Sequence, residues 1–312
     1  MTPVRRTATR ITEPLCYHAE GPVWSPAWGG LRWVDLLAGD LLTLRADGSV
    51  DRLHVGTGPW VDAATGTSRG RDWKPIAAFC RPRSEGGYVV GLERGYGLAD
   101  DVDATPDRVV ALWDDANLRM NEGGTDPWGR LYAGGMAYDR TPAASALYRI
   151  GPDGSVEVVA DEVTTSNGIA FTADLSKAYY NDTGLKRTDV FDVVDDELDG
   201  RRPFHDAPIL TRGERAGSPA SPDGLCVDAA GNVWIAMNRS GEVHQVSPDG
   251  EVLTIVELPV QLVTACTLGG ADLRTLYITT SRENLADPEP DAGAVFALSV
   301  EVPGVPVTPY AG

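Results

Sequence analysis

The 312-residue chain has no apolar run long enough to cross a bilayer as a helix. Its longest apolar segments, such as Val252 to Val263, are broken by Glu257 and Pro259, which excludes a membrane partner on this reading. It is short of positive charge: 27 Lys and Arg stand against 45 Asp and Glu, for a net charge of −18. No basic cluster is large enough to follow a phosphate backbone, so nucleic acid is excluded as a partner. Cysteine is scarce as well. Cys16, Cys80, Cys226 and Cys266 are far apart and form no CxxC pair, which leaves neither a zinc pattern nor a disulfide framework. The expectation is reduced, buried thiols in a cytoplasmic protein. Met1 to Arg10 is polar and basic and lacks the apolar core of a signal peptide. No long stretch has helical periodicity.

Turn formers are plentiful instead, with 35 Gly and 22 Pro. A turn followed by alternating apolar residues with an aromatic recurs along the chain. The copies include Gly29 to Asp35, Gly86 to Gly91, Trp128 to Gly134, Leu175 to Asp182, Ala230 to Ala236 and Leu273 to Thr279. Aligning Trp33, Val89, Tyr132, Tyr180, Trp234 and Tyr277 gives a repeat of 43 to 56 residues, the length of a four-stranded blade. A second pattern follows several copies: Leu41 to Leu44 leads into Asp47-Gly48, Leu147 to Ile150 into Asp153-Gly154, and Val243 to Val246 into Asp249-Gly250. Asp-Gly between alternating strands is a hairpin signal, because glycine accepts the positive φ of the turn.

Six copies predict an all-β, six-bladed β-propeller formed by residues 1–312 as one domain. Residues 1–14 are an N-terminal extension or a ring-closing strand. Residues 56–74 and 211–221 break the rhythm and read as loops, the first as a lid over a pocket or a surface excursion. Asp126, Asp153, Asp228 and Asp249 read as turn residues.

Three polar residues stand at matching places, each just before an inner strand and each followed by glycine: Glu20, Asn167 and Asp223. Two carboxylates and an amide oxygen are hard ligands that suit a divalent cation. Taken singly, Asn167-Gly168 and Asp223-Gly224 read equally well as turns, and Glu20 as a solvated surface acid. Arg119 and Asn121 alternate along another segment and can hold hydroxyls or a carboxylate of a ligand, although a lone Arg is more often ion-paired. Asp182, His18 and His244 read as packing, turn or ladder residues, with Asp182 and His18 near enough in sequence to support the site.

Taken together, the stretches AEGPVW, GGYVVGLERGYGL, LRMNEGGTDPWGRLYAGGM, SNGIAFTADLSKAYYND, SPDGLCVDAAGNVWIA and TACTLGGADLRTLYITTS resemble the SMP-30/gluconolactonase/regucalcin family, also called luciferin-regenerating-enzyme-like. They occur in the family's order over nearly all of residues 15–300. The resemblance implies a six-bladed propeller with one axial divalent cation held by Glu20, Asn167 and Asp223. Ca²⁺ is the first choice, with Mn²⁺, Zn²⁺, Mg²⁺ or Fe²⁺ as alternatives. It also implies that Arg119 and Asn121 contact substrate. The chain departs from the family in four places: Glu122 stands where Asp is common, Gly135 where Thr is common, Tyr138 and Asp139 where an acidic residue meets substrate, and the 56–74 segment is longer.

The expected function is hydrolysis of a sugar-acid lactone or related cyclic ester. The cation polarises the carbonyl, Asp223 is catalytic, and Arg119, Asn121, Tyr138 and Asp139 bind the small-molecule substrate. A non-hydrolytic carbonyl reaction on the same centre (dehydration, isomerisation or rearrangement) and a non-catalytic binding propeller are the alternatives. The sequence leaves monomer and dimer equally open.

Overall fold

Apolar alternation over five to eight residues, punctuated by Gly and Asp-Gly, yields strands in every part of the chain. The computed structural model describes residues 2–56, 60–62, 68–69, 73–211 and 216–312. Among the described residues six sheets, each built on antiparallel strands, follow one another in sequence as the blades of a β-propeller. Among the described residues no helix is long and apolar enough to cross a membrane.

The described chain falls into two compact units. One comprises Val23–Ser166 with Val307–Gly312. Its first sheet runs Ala19–Ser25, Gly30–Asp35, Asp40–Leu44 and Val50–His54, the leading residues of the first strand belonging to the other unit. The second is built on Cys80–Pro82, Tyr88–Leu92, Gly95–Ala99 and Arg108–Ala111. The third contains Leu118–Thr125, Leu131–Ala137, Ser145–Ile150 and Val156–Val163. The C-terminal segment closes this unit: Tyr310 is buried, its N–H donates to the Pro82 carbonyl at 2.8 Å and its hydroxyl to the Gly151 carbonyl at 3.0 Å.

The other unit comprises Met1–Pro22 and Asn167–Pro306. Its sheets are Ser166–Phe171 to Glu197–Asp206, Ser221–Val227 to Val252–Glu257, and Val263–Gly269 to Val295–Ser299. The N-terminal segment supplies outer strands to two of them. Val4–Thr7 pairs in parallel with Val252–Glu257, and Thr9–Arg10 pairs antiparallel with Val295–Ser299 as the fourth strand of the last sheet.

The aromatic repeat occupies the second strand of each sheet, and these strands are the best buried. Trp33, Tyr132 and Tyr180 are fully enclosed, each burial contributing about 1.5–3 kcal/mol. The fourth strands are half exposed, as Val50–His54 shows. The Asp-Gly hairpins form as expected, with φ of 85° at Gly48, 80° at Gly154 and 87° at Gly250. Asp126, Asp153 and Asp228 close turns by accepting backbone N–H groups two residues ahead.

The 56–74 segment is not all loop. Trp60–Asp62 and Ser68–Arg69 form a hairpin added to the second sheet beside Arg108–Ala111, at the edge away from Cys80–Pro82. The rest of that segment up to residue 72, and residues 212–215 of the second irregular stretch, lie outside the described residues, apart from Gly56.

Candidate functional site

Glu20, Asn167 and Asp223 lie inside first strands rather than just before them. Glu20 is the second residue of Ala19–Ser25, Asn167 the second of Ser166–Phe171, and Asp223 the third of Ser221–Val227. The glycines after Asn167 and Asp223 serve close packing, not turns. A Cβ on Gly168 would lie 2.4 Å from the Leu225 nitrogen, and one on Gly224 would lie 2.3 Å from the Ala265 Cβ. Neither glycine has a positive φ. Two successive first strands thus pack glycine against the next first strand, with Asn167 and Asp223 each one residue before its glycine. Gly21 differs in having a φ of 50°, which favours glycine there.

All three candidate ligands are at most 8% exposed. The Glu20 Oε2 accepts the Gly21 N–H at 3.1 Å, and its Oε1 lies 3.8 Å from the His18 Nε2. His18 is itself anchored on the Ser281 hydroxyl at 2.7 Å. The Asp223 Oδ2 accepts the Asn238 side-chain amide at 3.0 Å. The Asn167 Nδ2 donates to the Thr183 hydroxyl at 2.7 Å.

Each strand carrying a candidate ligand is also tied through backbone carbonyls. The Asn181 amide donates to the Asp223 carbonyl at 2.6 Å, and the Thr183 hydroxyl to the Pro222 carbonyl at 2.6 Å. The Thr264 hydroxyl donates to the Ala19 carbonyl at 2.6 Å. These contacts coincide with register slips in the ladders, between Pro222 and Leu225 and between Val263 and Ala265. Such bulges re-aim side chains and release carbonyls from the ladder, and neutral side chains take the carbonyls up.

The residue types suit a hard divalent cation: two buried carboxylates, plus an amide whose nitrogen bonds to Thr183, so that its oxygen is the end turned from that hydroxyl. Among the described residues no group of three or more His, Cys, Asp or Glu side chains could hold a metal ion.

In the other unit, Arg119 and Asn121 lie on Leu118–Thr125, where the register slips between Met120 and Glu122 and Asn121 is the extra residue. The Arg119 Nη1 donates to the Met120 carbonyl at 2.9 Å and the Asn121 Oδ1 at 2.7 Å, and the Asn121 Nδ2 to the Ser166 carbonyl at 2.7 Å. Glu122 is buried against Arg81 at 3.3 Å; burial pushes its carboxyl up and Arg81 opposes the shift.

Tyr138 donates to the Glu93 Oε1 at 2.6 Å, and the Lys74 ammonium sits 3.5 Å from the centre of its ring. Burial, then the bond to Glu93, holds the phenol well above its ordinary range against the pull of Arg119 and Arg94, so it stays a donor. Asp139 is exposed, and its carboxylate closes a turn by accepting the Thr141 N–H at 2.9 Å and hydroxyl at 2.7 Å. Gly135 is explained by space: a Cβ there would lie 2.8 Å from both the Arg119 carbonyl and the Ser145 hydroxyl.

Glu93 and Arg94 escaped the sequence reading. They occupy the tight turn between Tyr88–Leu92 and Gly95–Ala99, where exposure is the rule, yet they are 1% and 6% exposed. Their one sequence signal is a charged pair inside an otherwise apolar hairpin. Asn181, Thr183, Asn238 and Thr264 were missed too, since neutral polar residues on strands carry no sequence signature. Asp182 caps the turn Thr183–Leu185 through the Gly184 N–H, and His244 pairs with Glu242 at 3.0 Å.

The family model described as SMP-30/Gluconolactonase/LRE-like region matches residues 18–282. A 6-deoxy-6-sulfogluconolactonase of Pseudomonas putida is 36% identical, with 94% of each chain covered. Regucalcin of Oryctolagus cuniculus is 32% identical over 95% of this chain and 96% of its own. Among solved structures, a calcium-binding regucalcin of Agrobacterium tumefaciens superposes with a TM-score of 0.81 at 24% identity, covering 99% of both chains, which shows the shared fold.

Proposed function

Because the chain belongs to the SMP-30/gluconolactonase/LRE-like family, we propose that it is a lactonase that opens a sugar-acid lactone with the help of one divalent cation. The observation that carries the metal part is the donor set: buried Glu20 and Asp223, and an Asn167 amide whose nitrogen is already spent. These three residues would hold the cation, Ca²⁺ first among the candidates, and the ion would supply Lewis-acid polarisation of the lactone carbonyl. Asn238 orients the Asp223 carboxylate through Oδ2, and that carboxylate would accept the proton of the attacking water. Arg119 and Asn121 hold each other in one orientation and bind the sugar hydroxyls. Tyr138 donates from a phenol that stays protonated. Asp139 shapes the segment that follows Tyr138 by closing its turn.

The charge around Tyr138 narrows the substrate. Lys74 sits on the Tyr138 ring, Arg119 acts on its phenol, and Arg94 lies 3.5 Å from the buried Glu93 carboxylate and 3.7 Å from the exposed Asp114, in a chain of net charge −18. This local excess of cations suits a lactone that carries an acidic substituent such as a sulfonate or carboxylate. The P. putida relative named for a sulfo-sugar lactone agrees with that reading. Steady-state hydrolysis of neutral and acidic aldonolactones by the metal-loaded protein tests it. A KM about tenfold lower for the acidic lactone, corresponding to ~1.4 kcal/mol, supports it. Equal KM values refute the acidic substituent, and no hydrolysis of any lactone refutes the activity.

A further inference from the structure

Resting on the reading that Asn167 and Asp223 are metal ligands, we infer that Thr183 is a positioning residue that decides which end of the Asn167 amide meets the cation. The available protons fix the orientation. The Thr183 hydroxyl has one hydrogen, and it lies 2.6 Å from the Pro222 carbonyl, which can only accept. The hydroxyl must therefore act as acceptor toward Asn167, 2.7 Å away, and only the amide nitrogen can donate to it. The side chain is fixed with Nδ2 on Thr183 and Oδ1 turned the other way. A cation tolerates the oxygen and is repelled by the NH₂ end.

The same hydroxyl couples two ligands. Pro222 immediately precedes Asp223, at the slip where the ladder to Val233–Asn238 is interrupted. Asn181 holds the next carbonyl, that of Asp223 itself, at 2.6 Å, and Lys186 reaches the Ser221 hydroxyl at 2.9 Å. The turn Thr183–Leu185 fixes where the hydroxyl sits: Asp182 caps its start, and Lys186 ends it in the left-handed region at a φ of 58°. Asn181, Thr183 and Lys186 thus grip Ser221, Pro222 and Asp223 of the next sheet, and Thr183 also touches a second ligand, Asn167.

Outer residues of this kind change metal affinity about 10- to 100-fold when removed. Calorimetric titration of Ca²⁺ into the chelator-stripped full chain tests the inference with Thr183→Val and Thr183→Ser, alongside melting temperatures in chelator. The expected result is a 10- to 100-fold weaker Kd for Thr183→Val and a Kd within about threefold of the parent for Thr183→Ser, which keeps the hydroxyl. A Thr183→Val protein that melts lower in chelator but binds Ca²⁺ as the parent does overturns the inference and leaves the metal site standing. A parent chain that binds no Ca²⁺, Mn²⁺ or Mg²⁺ overturns both. Should Thr183→Val not fold, Thr183→Ala replaces it under the same criterion.

Discussion

The two units bury polar side chains to a similar degree but hold them by different means. Around Asn167 and Asp223 the side-chain and carbonyl supports are mainly neutral: the amides of Asn181 and Asn238 and the hydroxyl of Thr183, with Lys186 on the Ser221 hydroxyl and Thr264 holding the strand of Glu20. Around Tyr138 they are charged: Glu93 with Arg94 at 3.5 Å, Lys74 on the ring, and Arg119 close enough to be felt by the phenol. Neutral donors orient a carboxylate without neutralising it, so its charge remains for a cation. A charged surround sets a local potential and so selects the charge of what binds. On the function proposed above, the first group would hold the cation and the second would select the substrate.

The largest effect that would break this contrast is expected from Asp223→Ala. Loss of a ligand and of the proton acceptor should lower kcat/KM for lactone hydrolysis by roughly 10³-fold or more, several kcal/mol of barrier, while the protein still melts cooperatively. Activity within tenfold of the parent would remove Asp223 from the site.

Next in size are two changes in the charged group that should act on stability. Tyr138→Phe leaves a buried Glu93 oxygen without its phenol donor and should cost about 1–3 kcal/mol, read as a lower denaturation midpoint. Gly135→Thr forces a Cβ against the Arg119 carbonyl at 2.8 Å. It should cost a similar ~1–3 kcal/mol by overpacking and raise KM through Arg119. An unchanged midpoint in either variant would mean that the segment yields more easily than its packing indicates.

A smaller effect sharpens the charge argument. Glu93→Gln keeps an acceptor for Tyr138 and removes the negative charge beside it, so KM for an acidic lactone should fall a few-fold while that for a neutral lactone holds. A rise for the acidic lactone would contradict the selection role.

The smallest effect concerns pH. Burial, then the neighbouring His244, lowers the pKa of His205, opposed by a hydrogen bond with the Gly250 backbone and by Asp206. A histidine depressed in the folded state binds its proton more readily when unfolded. Its contribution is therefore fully present above the unfolded value near 6.5 and is lost as pH falls below that toward the folded pKa. Melting temperatures from pH 7.5 to pH 5 should decline less steeply in His205→Gln than in the parent; identical slopes would contradict the assignment.

The blades were legible because their signal is local. An aromatic second strand and an Asp-Gly hairpin are short-range features, and six copies reinforce one another. The start of each blade was less legible. The first strands of the blades bearing Glu20, Asn167 and Asp223 contain glycines that mimic turns in sequence. Gly168 and Gly224 are instead demanded by Leu225 and Ala265, residues distant in sequence that only the fold brings close. The hairpin Trp60–Asp62 with Ser68–Arg69 was read as loop because its strands are very short and it gains its partner, Arg108–Ala111, from far along the chain. Glu93 and Arg94 were missed because a hairpin turn normally exposes such residues. Thr183 and Asn181 were missed because their roles consist of bonds to carbonyls of another sheet, which no spacing within their own segment can reveal.

The central claim is that one cation is held by Glu20, Asp223 and the oxygen end of Asn167. An anomalous-scattering map of crystals soaked with Mn²⁺ tests it most directly. The account predicts a single peak within about 2.0–2.6 Å of a Glu20 carboxylate oxygen, the Asp223 Oδ1 and the Asn167 Oδ1. A peak that leaves out any of the three, or no peak near them, would contradict it.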